Sequence, residues 1–134
     1  MIIFDVFIKR CGTTDVTRTV HMRTPTDEEK DAYTRVLLGN LDIERLLWPK
    51  KNKISGSDMD ILARRRLWSN YMDYGHGTGH GVGYFLNVHE GPNGISKYRY
   101  SPMEHGNIVS NEPGFYKEGS FGIRIENLIL CKEN

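Results

Sequence analysis

The sequence predicts a single α+β domain in which two helices are followed by antiparallel strands. Two segments, near residues 26–49 and 57–69, carry apolar side chains at helical spacing. From Tyr74 onward this periodicity ends, and glycine, tyrosine and valine become frequent, which is typical of short strands and tight turns. A chain of 134 residues has room for one core of modest size. We therefore expect two helices packed on an antiparallel sheet.

The first predicted elements are a strand and a capped helix. Residues 13–22 are rich in threonine and valine and predict a strand followed by a turn. The helix should begin at Thr26, because Thr26 can cap it and Glu29 lies three residues on, which is the spacing of a capping box. Its buried stripe is predicted to consist of Tyr33, Val36, Leu37 and Leu41. Pro49 should end the segment.

The second predicted helix follows the loop KKNKISG. Ser57 should cap this helix, which should end near Ser69. Its buried stripe is predicted to consist of Met59, Leu62, Ala63 and Leu67. The triplet Arg64–Arg66 is the only basic run, and a solvated helix face is its expected explanation.

The clearest predicted strand is FGIRIENLILC, from Phe121 to Cys131. Its apolar side chains alternate with a second set that includes Arg124 and Glu126. Because side chains alternate between the two faces of a strand, Arg124 and Glu126 should share one face.

The composition gives no reason to expect nucleic acid or a membrane as a partner. The formal net charge is +1, and no run approaches the ~20 apolar residues that cross a bilayer. The opening MIIFDVFIKR is short and interrupted by Asp5, so it is not typical of a signal peptide. The two cysteines, Cys11 and Cys131, are too far apart in sequence to suggest a zinc clip or redox pair. We expect a reduced, cytoplasmic chain.

The most informative segment is YGHGTGHGVGYFLNVHEGP, from Tyr74 to Pro92, in which histidines alternate with glycines. Two carboxylate motifs follow it, SNEPGFY with Glu112 and GIRIEN with Glu126. A third, GTTDVTRT with Asp15, precedes both helices. One imidazole and several carboxylates form a ligand set for a pair of divalent metals, which could activate a water for amide hydrolysis.

Each of these residues also has an ordinary structural explanation when it is taken singly. Asp15 could cap a turn at Thr17 or Thr19, since aspartate often bonds nearby backbone. Hydrogen-bonded or solvated loop positions would account equally well for His76, His80, His89 and Glu112. Glu126 is harder to explain, because it interrupts an apolar strand and a buried carboxylate is costly without a charge partner. Together the residues favour one shared site.

Five motifs in order carry a resemblance to a known family. HGTGHGVG, LNVHEGP, NEPGFY and FGIRIEN, after GTTDVTRT, resemble the catalytic domain of the cytosolic Xaa-Pro aminopeptidases. That family has the pita-bread fold shared with prolidase, creatinase and methionine aminopeptidase. The resemblance runs from about Gly12 to Leu130 and implies that residues 12–134 are the C-terminal part of a pita-bread catalytic domain.

The resemblance also implies a role for each candidate residue. Two Mn²⁺ ions would be held by Asp15, His80, Glu112 and Glu126. A hydroxide bridging the two ions would attack the carbonyl before proline and release the first residue of X-Pro peptides, while Glu112 receives the water proton. His76 and His89 would bind substrate near the scissile carbonyl and the proline pocket. Tyr116 and Arg124 would hold the carboxylates in place.

One expected ligand is missing from the pattern. The family carries an aspartate eleven positions before Asp15, where this chain has Phe4, and the nearest aspartate is Asp5. A one-residue slip on a strand turns a side chain to the opposite face unless a β-bulge restores it. Our hypothesis is that residues 1–11 are a divergent segment, produced by truncation, alternative splicing or a mistaken gene start. The second metal site, and with it the activity of this chain, should then be impaired.

Two other functions remain open at this point. A non-catalytic pita-bread module would bind proteins and would have no need of the ligands, whereas a prolidase-like enzyme would keep them and cleave dipeptides. A homodimer is also a possible assembly, as the resemblance implies.

Overall fold

The computed structural model describes residues 12–85 and 87–133 in full and residues 2–5 as backbone only. The predicted divergent segment, residues 1–11, therefore lies outside the fully described residues. Within the described residues the elements, in chain order, are β1 (Ile2–Asp5), β2 (Thr17–Val20), α1 (Asp27–Glu44), α2 (Gly56–Trp68), β3 (Gly79–His80), β4 (Gly94–Ile95), β5 (Ile108–Asn111), β6 (Gly114–Lys117), β7 (Phe121–Arg124) and β8 (Asn127–Leu130). The strands form four antiparallel pairs, β1 with β2, β3 with β4, β5 with β8 and β6 with β7. The predicted α+β class is confirmed. The strand and turn predicted at residues 13–22 correspond to β2, which is only four residues long.

Helix α1 begins as the capping box predicts. The Thr26 hydroxyl accepts from the Glu29 amide at 3.3 Å, and the Glu29 carboxylate accepts from the Thr26 amide at 2.7 Å. The predicted end at Pro49 is wrong, because the helix ends at Glu44. The chain turns tightly there, with the Leu46 amide donating to the Ile43 carbonyl at 3.0 Å. A tighter turn of this kind commonly closes a helix.

The buried face of α1 also differs from the predicted stripe. It consists of Ala32, Val36, Gly39, Asn40 and Ile43. Among the predicted stripe residues, only Val36 is fully buried, and Tyr33 is exposed. The reason is close packing of the two helices: a Cβ on Gly39 would lie 2.4 Å from the carbonyl oxygen of Ala63 in α2. A face lined with small residues does not stand out in an apolar pattern.

Helix α2 is capped by Ser55 and not by Ser57 as predicted. The Ser55 amide donates to the Asp58 carboxylate at 2.8 Å, which completes a capping box two residues earlier. The predicted buried residues Met59, Ala63 and Leu67 are buried.

The solvated face predicted for the basic triplet is wrong for its first member. Arg64 is only 8% exposed, whereas Arg65 is exposed and Arg66 is half-buried. The Arg64 guanidinium faces inward because Asp60, four residues earlier, accepts its Nε–H at 2.8 Å.

The predicted single strand at 121–131 is divided in two. Strand β7 pairs with β6 and β8 pairs with β5, and both pairs follow the same register. This is a single hairpin with an interruption, and its register continued across the break places Glu112 opposite Glu126. Pro113 has no N–H to continue the ladder. The Glu126 amide also leaves the ladder and donates to the Thr17 carbonyl at 3.1 Å.

Among the described residues, the core consists of two apolar clusters that share the two helices. One joins α1 and α2 to the hairpin through Ala32, Val36, Leu67, Tyr74, Ile123 and Ile125. The other packs their opposite ends against β4 and β5 through Ile43, Met59, Ala63, Ile95, Met103 and Val109. In the described part of the chain, neither helix has the length and apolar character needed to cross a membrane.

Candidate metal centre

Three segments meet where the hairpin is interrupted. Asp15 lies just before β2, His80 ends β3, and Glu126 lies between β7 and β8. Each offers one ligand atom, and the three atoms all lie within 4.8 Å of one another. Asp15 is 4% exposed and Glu126 is 1% exposed. A buried group of two carboxylates and one imidazole is an arrangement that a divalent cation would stabilise.

Glu112 joins this group through the imidazole. The Nε2 atom of His80 lies 3.1 Å from Asp15 Oδ2 and 3.2 Å from Glu112 Oε1. The sequence predicts Asp15, His80, Glu112 and Glu126 as metal ligands, and the structure brings these four side chains together.

Backbone contacts set the orientation of His80. Its Nδ1 atom lies 3.0 Å from the Gly81 carbonyl, so Nδ1 is the protonated nitrogen and Nε2 is directed at the carboxylates. The His80 amide donates to the Ser110 hydroxyl at 2.9 Å. The preceding residue must be glycine, because a Cβ on Gly79 would lie 1.9 Å from the Ser110 carbonyl oxygen. The glycine-rich motif therefore allows β3 to approach β5 closely.

The charges in the cluster shift its pKa values. Burial would lower the pKa of His80, but its hydrogen bond to Glu112 and the charges of Glu112 and Asp15 outweigh this and raise it. Burial would raise the pKa of Glu112, yet the hydrogen bonds from His80 and Ser110 and the nearby cations lower it. Proton binding at Nε2 of His80 and cation binding at the carboxylates would therefore compete at this site.

Two hydroxyl residues that the sequence analysis did not single out hold the carboxylates. The Thr17 hydroxyl donates to Glu126 Oε2. The Ser110 hydroxyl donates to Glu112 Oε1 at 2.9 Å. Both lie two positions from a predicted ligand, and residues two apart on a strand share a face. Period-2 spacing from Asp15 and Glu112 could have identified them.

A second group of side chains lies beside the cluster. Arg124 Nε donates to the Tyr116 hydroxyl at 2.9 Å and lies 3.9 Å from Glu112 Oε2. The Tyr116 hydroxyl lies 2.8 Å from Nε2 of His76, whose Nδ1 lies 2.7 Å from the Gly77 carbonyl. Burial and the Arg124 charge lower the pKa of His76, so its ring is neutral, with Nδ1–H donating to Gly77 and Nε2 accepting from Tyr116.

His89 is the most exposed of the predicted site residues on the glycine-rich segment. Its ring meets the His80 ring edge-on, with centroids 4.1 Å apart. His89 thus lies next to a candidate ligand on the solvent side of the cluster. The catalytic and substrate-binding roles of His76, His89, Tyr116 and Arg124 remain predictions.

Comparison with known proteins places this geometry in a family. The chain matches metallopeptidase family M24 over residues 1–133, a range that includes the segment predicted to be divergent. It is 58% identical over 125 residues to a probable Xaa-Pro aminopeptidase P of Botryotinia fuckeliana, an alignment that covers 91% of this chain and 19% of that protein. The chain thus spans about a fifth of the length of the curated relatives it matches.

Solved structures give the same result for the fold. The X-prolyl aminopeptidase from Caenorhabditis elegans, described as a cytosolic enzyme with a di-nuclear active site, superposes with a TM-score of 0.81 at 46% identity, over 87% of this chain and 19% of that one. A prolidase from Pyrococcus furiosus superposes with a TM-score of 0.82 at 29% identity, over 92% of this chain and 35% of that one. The predicted pita-bread fold and the resemblance to Xaa-Pro aminopeptidases are confirmed, and the chain belongs to metallopeptidase family M24.

Proposed function

We propose that this chain is the metal-binding part of an aminopeptidase that releases the N-terminal residue from peptides with proline in second position. The observation that carries the proposal is the convergence of Asp15, His80 and Glu126 within 4.8 Å, with Glu112 3.2 Å from the same imidazole. Relatives named Xaa-Pro aminopeptidase P support the choice of substrate.

The cation we assign is Mn²⁺. Three carboxylates and one imidazole favour a hard ion that prefers oxygen ligands. Structural zinc is less suited to this set, because its sites are typically rich in thiolates. When bound, a pair of such ions would polarise the scissile carbonyl and lower the pKa of an attacking water. The di-nuclear site described for the Caenorhabditis elegans enzyme supports a pair of ions here. Its description as cytosolic supports a cytoplasmic location, and a homodimer remains a prediction.

The remaining side chains would orient the reacting groups. Glu112 has a lowered pKa and is ionised, so its carboxylate can accept a proton from the attacking water. Ser110 fixes this carboxylate by donating to Oε1. His76 and His89 would bind the substrate beside the scissile carbonyl and the proline ring. Arg124 and Tyr116 would hold His76 and Glu112 at a fixed separation, because Tyr116 contacts His76, Arg124 contacts Glu112, and Arg124 donates to Tyr116.

The second ion depends on the start of the chain. The backbone of Asp5 pairs with that of Thr17, the residue that donates to Glu126. This pairing brings the Asp5 backbone beside the strand that follows Asp15. It supports Asp5 as the replacement for the missing aspartate, in place of the impaired second site expected from the sequence. Asp5→Asn should then remove the second ion while the first remains bound.

Metal content is the direct test of the proposed centre. The purified chain, incubated with Mn²⁺ and passed through gel filtration, should retain at least one ion, and Glu126→Gln should lose it. We expect affinity to fall about 100-fold or more, since an anionic ligand is replaced by a neutral one. Glu118→Gln, an exposed residue in the β6–β7 turn, is the matched control and should bind normally. Wild-type chain without bound Mn²⁺ would contradict the proposal.

Substrate length separates the aminopeptidase from its main alternative. The prolidase superposition at a TM-score of 0.82 makes a prolidase-like dipeptidase the second candidate. Cleavage of X-Pro-X tripeptides by the Mn²⁺-loaded chain, abolished in Glu112→Gln, would support the aminopeptidase. Cleavage of X-Pro dipeptides alone would favour the prolidase. Metal binding with no hydrolysis of either would favour a non-catalytic module.

A further inference from the structure

A buried ionic cluster is connected to the candidate metal centre through Thr78 and contains none of its ligands. Its charged members are Asp60 and Arg64 of α2, which are 2% and 8% exposed. Arg64 Nε donates to Asp60 Oδ2 at 2.8 Å, and Arg64 Nη1 donates to Asp73 Oδ1 at 2.7 Å. The guanidinium also lies over the Tyr74 ring, 3.9 Å from its centroid. The Arg64 cation is thus paired with two carboxylates at the edge of the core.

Two further donors of Arg64 bind the backbone of the glycine-rich segment. Nη1 donates to the Tyr74 carbonyl at 2.8 Å, and Nη2 donates to the His76 carbonyl at 2.6 Å. These two carbonyls lie on either side of Gly75. The planar guanidinium donates to two carboxylates and two carbonyls at once, and these four acceptors exceed the three donors of a lysine. One helix residue therefore fixes the path of the segment that leads to His80.

Thr78 connects this cluster to two candidate ligands. Its hydroxyl donates to Asp60 and contacts the Tyr74 hydroxyl. Its carbonyl accepts from the Glu112 amide at 2.7 Å. Two residues after Thr78, the His80 amide donates to the Ser110 hydroxyl. A shift of Thr78 would therefore move His80 along the chain and Glu112 across the sheet.

Stability alone is a weak explanation for this cluster. A buried ion pair contributes little net stability compared with apolar side chains of similar volume, because both charges must be desolvated. An ordinary core in this position would need neither Asp60 nor Arg64. The charged cluster instead fixes the backbone position of the ligand-bearing segment, since its hydrogen bonds join specific carbonyls and a hydroxyl of that segment.

We propose that the cluster of Asp60, Arg64, Tyr74 and Thr78 is a positioning device that holds His80 and Glu112 at the separation a shared cation requires. Helix α2 contributes no ligand, yet it would set the metal affinity of the centre. The inference rests on the proposed function, because it assumes that a cation binds at these residues.

The test uses Mn²⁺ affinity in the full chain, measured by the EPR signal of free Mn²⁺. Thr78→Val keeps the side-chain shape but removes the hydroxyl, and it should weaken binding about 10- to 100-fold, the range for residues that support ligands. Thr78→Ser restores the hydroxyl and should restore affinity. Arg64→Lys should weaken binding, whereas Arg65→Lys, on the exposed side of the same helix, should not. Ile43→Val, in the second core cluster, tests whether lost stability alone changes affinity.

A second measurement needs no metal. In chain freed of metal by a chelator, amide hydrogen exchange at His80 and Glu112 should be about tenfold faster in Thr78→Val than in wild type. In Thr78→Ser the exchange rates of these amides should equal those of wild type. The Val36 amide of α1 should be unaffected. Equal acceleration at all three amides, or unchanged Mn²⁺ affinity in Thr78→Val, would overturn the positioning role. If wild-type chain binds no Mn²⁺, the proposed function fails, and the exchange pattern alone decides whether the cluster positions these residues.

Discussion

Two of the carboxylates of the candidate centre and its imidazoles are held by two differently built regions. Glu112 and Glu126 lie in the hairpin, where ladders on both sides of the break fix their register. His76 and His80 lie in a segment where the described residues form just one strand, the two-residue β3. Side-chain hydrogen bonds to α2 and close backbone contacts, which only glycine allows, hold that segment. Glu112 and Glu126 therefore depend on strand pairing, and His76 and His80 depend on distant contacts.

The largest expected effect tests how tightly the glycine-rich segment is fitted. In Gly79→Ala the new Cβ would lie 1.9 Å from the Ser110 carbonyl oxygen, so β3 must move away from β5. We expect a loss of about 1–3 kcal/mol in the free energy of unfolding, the usual range for overpacking, measured by urea denaturation. Gly75→Ala is the control in the same segment, because its Cβ would meet no atom within 4 Å. Equal losses in both variants would show that the close approach is unimportant.

A smaller effect should distinguish the two histidines by the sign of their pH dependence. In the metal-free chain the pKa of His80 is raised, so its contribution to stability is present below its unfolded pKa and lost as pH rises through the folded one. The pKa of His76 is lowered, so a cost appears as pH falls through its unfolded pKa toward the folded one.

Urea unfolding in chelator between pH 5 and pH 8.5, a range spanning roughly the usual histidine pKa, would measure both. The stability difference between wild type and His80→Gln should shrink above the usual histidine pKa. The difference between wild type and His76→Gln should change below it, in favour of the variant. Each slope should stay under about 1.4 kcal/mol per pH unit, the limit for one proton. Slopes of the same sign would contradict the two environments described for these rings.

The smallest effect concerns the residue that joins the two regions. The Tyr116 hydroxyl contacts His76 of the glycine-rich segment and accepts from Arg124 of the hairpin. Tyr116→Phe keeps the ring and removes both hydrogen bonds. Because Tyr116 is partly exposed, water can replace them, and we expect a loss of about 0.5–1 kcal/mol in urea denaturation. Tyr100→Phe, at an exposed ring, should change stability by less. A loss well above this range would mean that the two regions are coupled more strongly than the contacts suggest.

The sequence predicted well those features that depend on neighbours along the chain. The capping box of Thr26 and Glu29 needs only a three-residue spacing, and it forms as predicted. The α+β order followed from a change of periodicity near Tyr74. The candidate ligands were found from motifs, and the structure brings Asp15, His80 and Glu126 together.

Features that depend on distant partners were missed. Arg64 was predicted to be solvated because a basic triplet usually is. Its local partner Asp60 could have been found from the i, i+4 spacing, but the carbonyls of Tyr74 and His76 that complete its burial lie beyond the helix. The face of α1 was misplaced because Gly39 is buried by contact with Ala63, which no apolar pattern records. The division of the last strand follows from Pro113 on the opposite side of the hairpin. In each case the determining contact joins residues that are not adjacent in sequence.

The interrupted hairpin limits how sequences of this kind can change length during evolution. The turn at Glu118–Ser120 lies at the far end of the hairpin, so residues could be gained or lost there without altering the pairing behind it. A single insertion between Asn111 and Gly114 would instead shift β5 against β8 by one position and turn alternate side chains to the other face. Insertions and deletions should therefore accumulate in the turn between β6 and β7 and be rare at the interruption between β5 and β6.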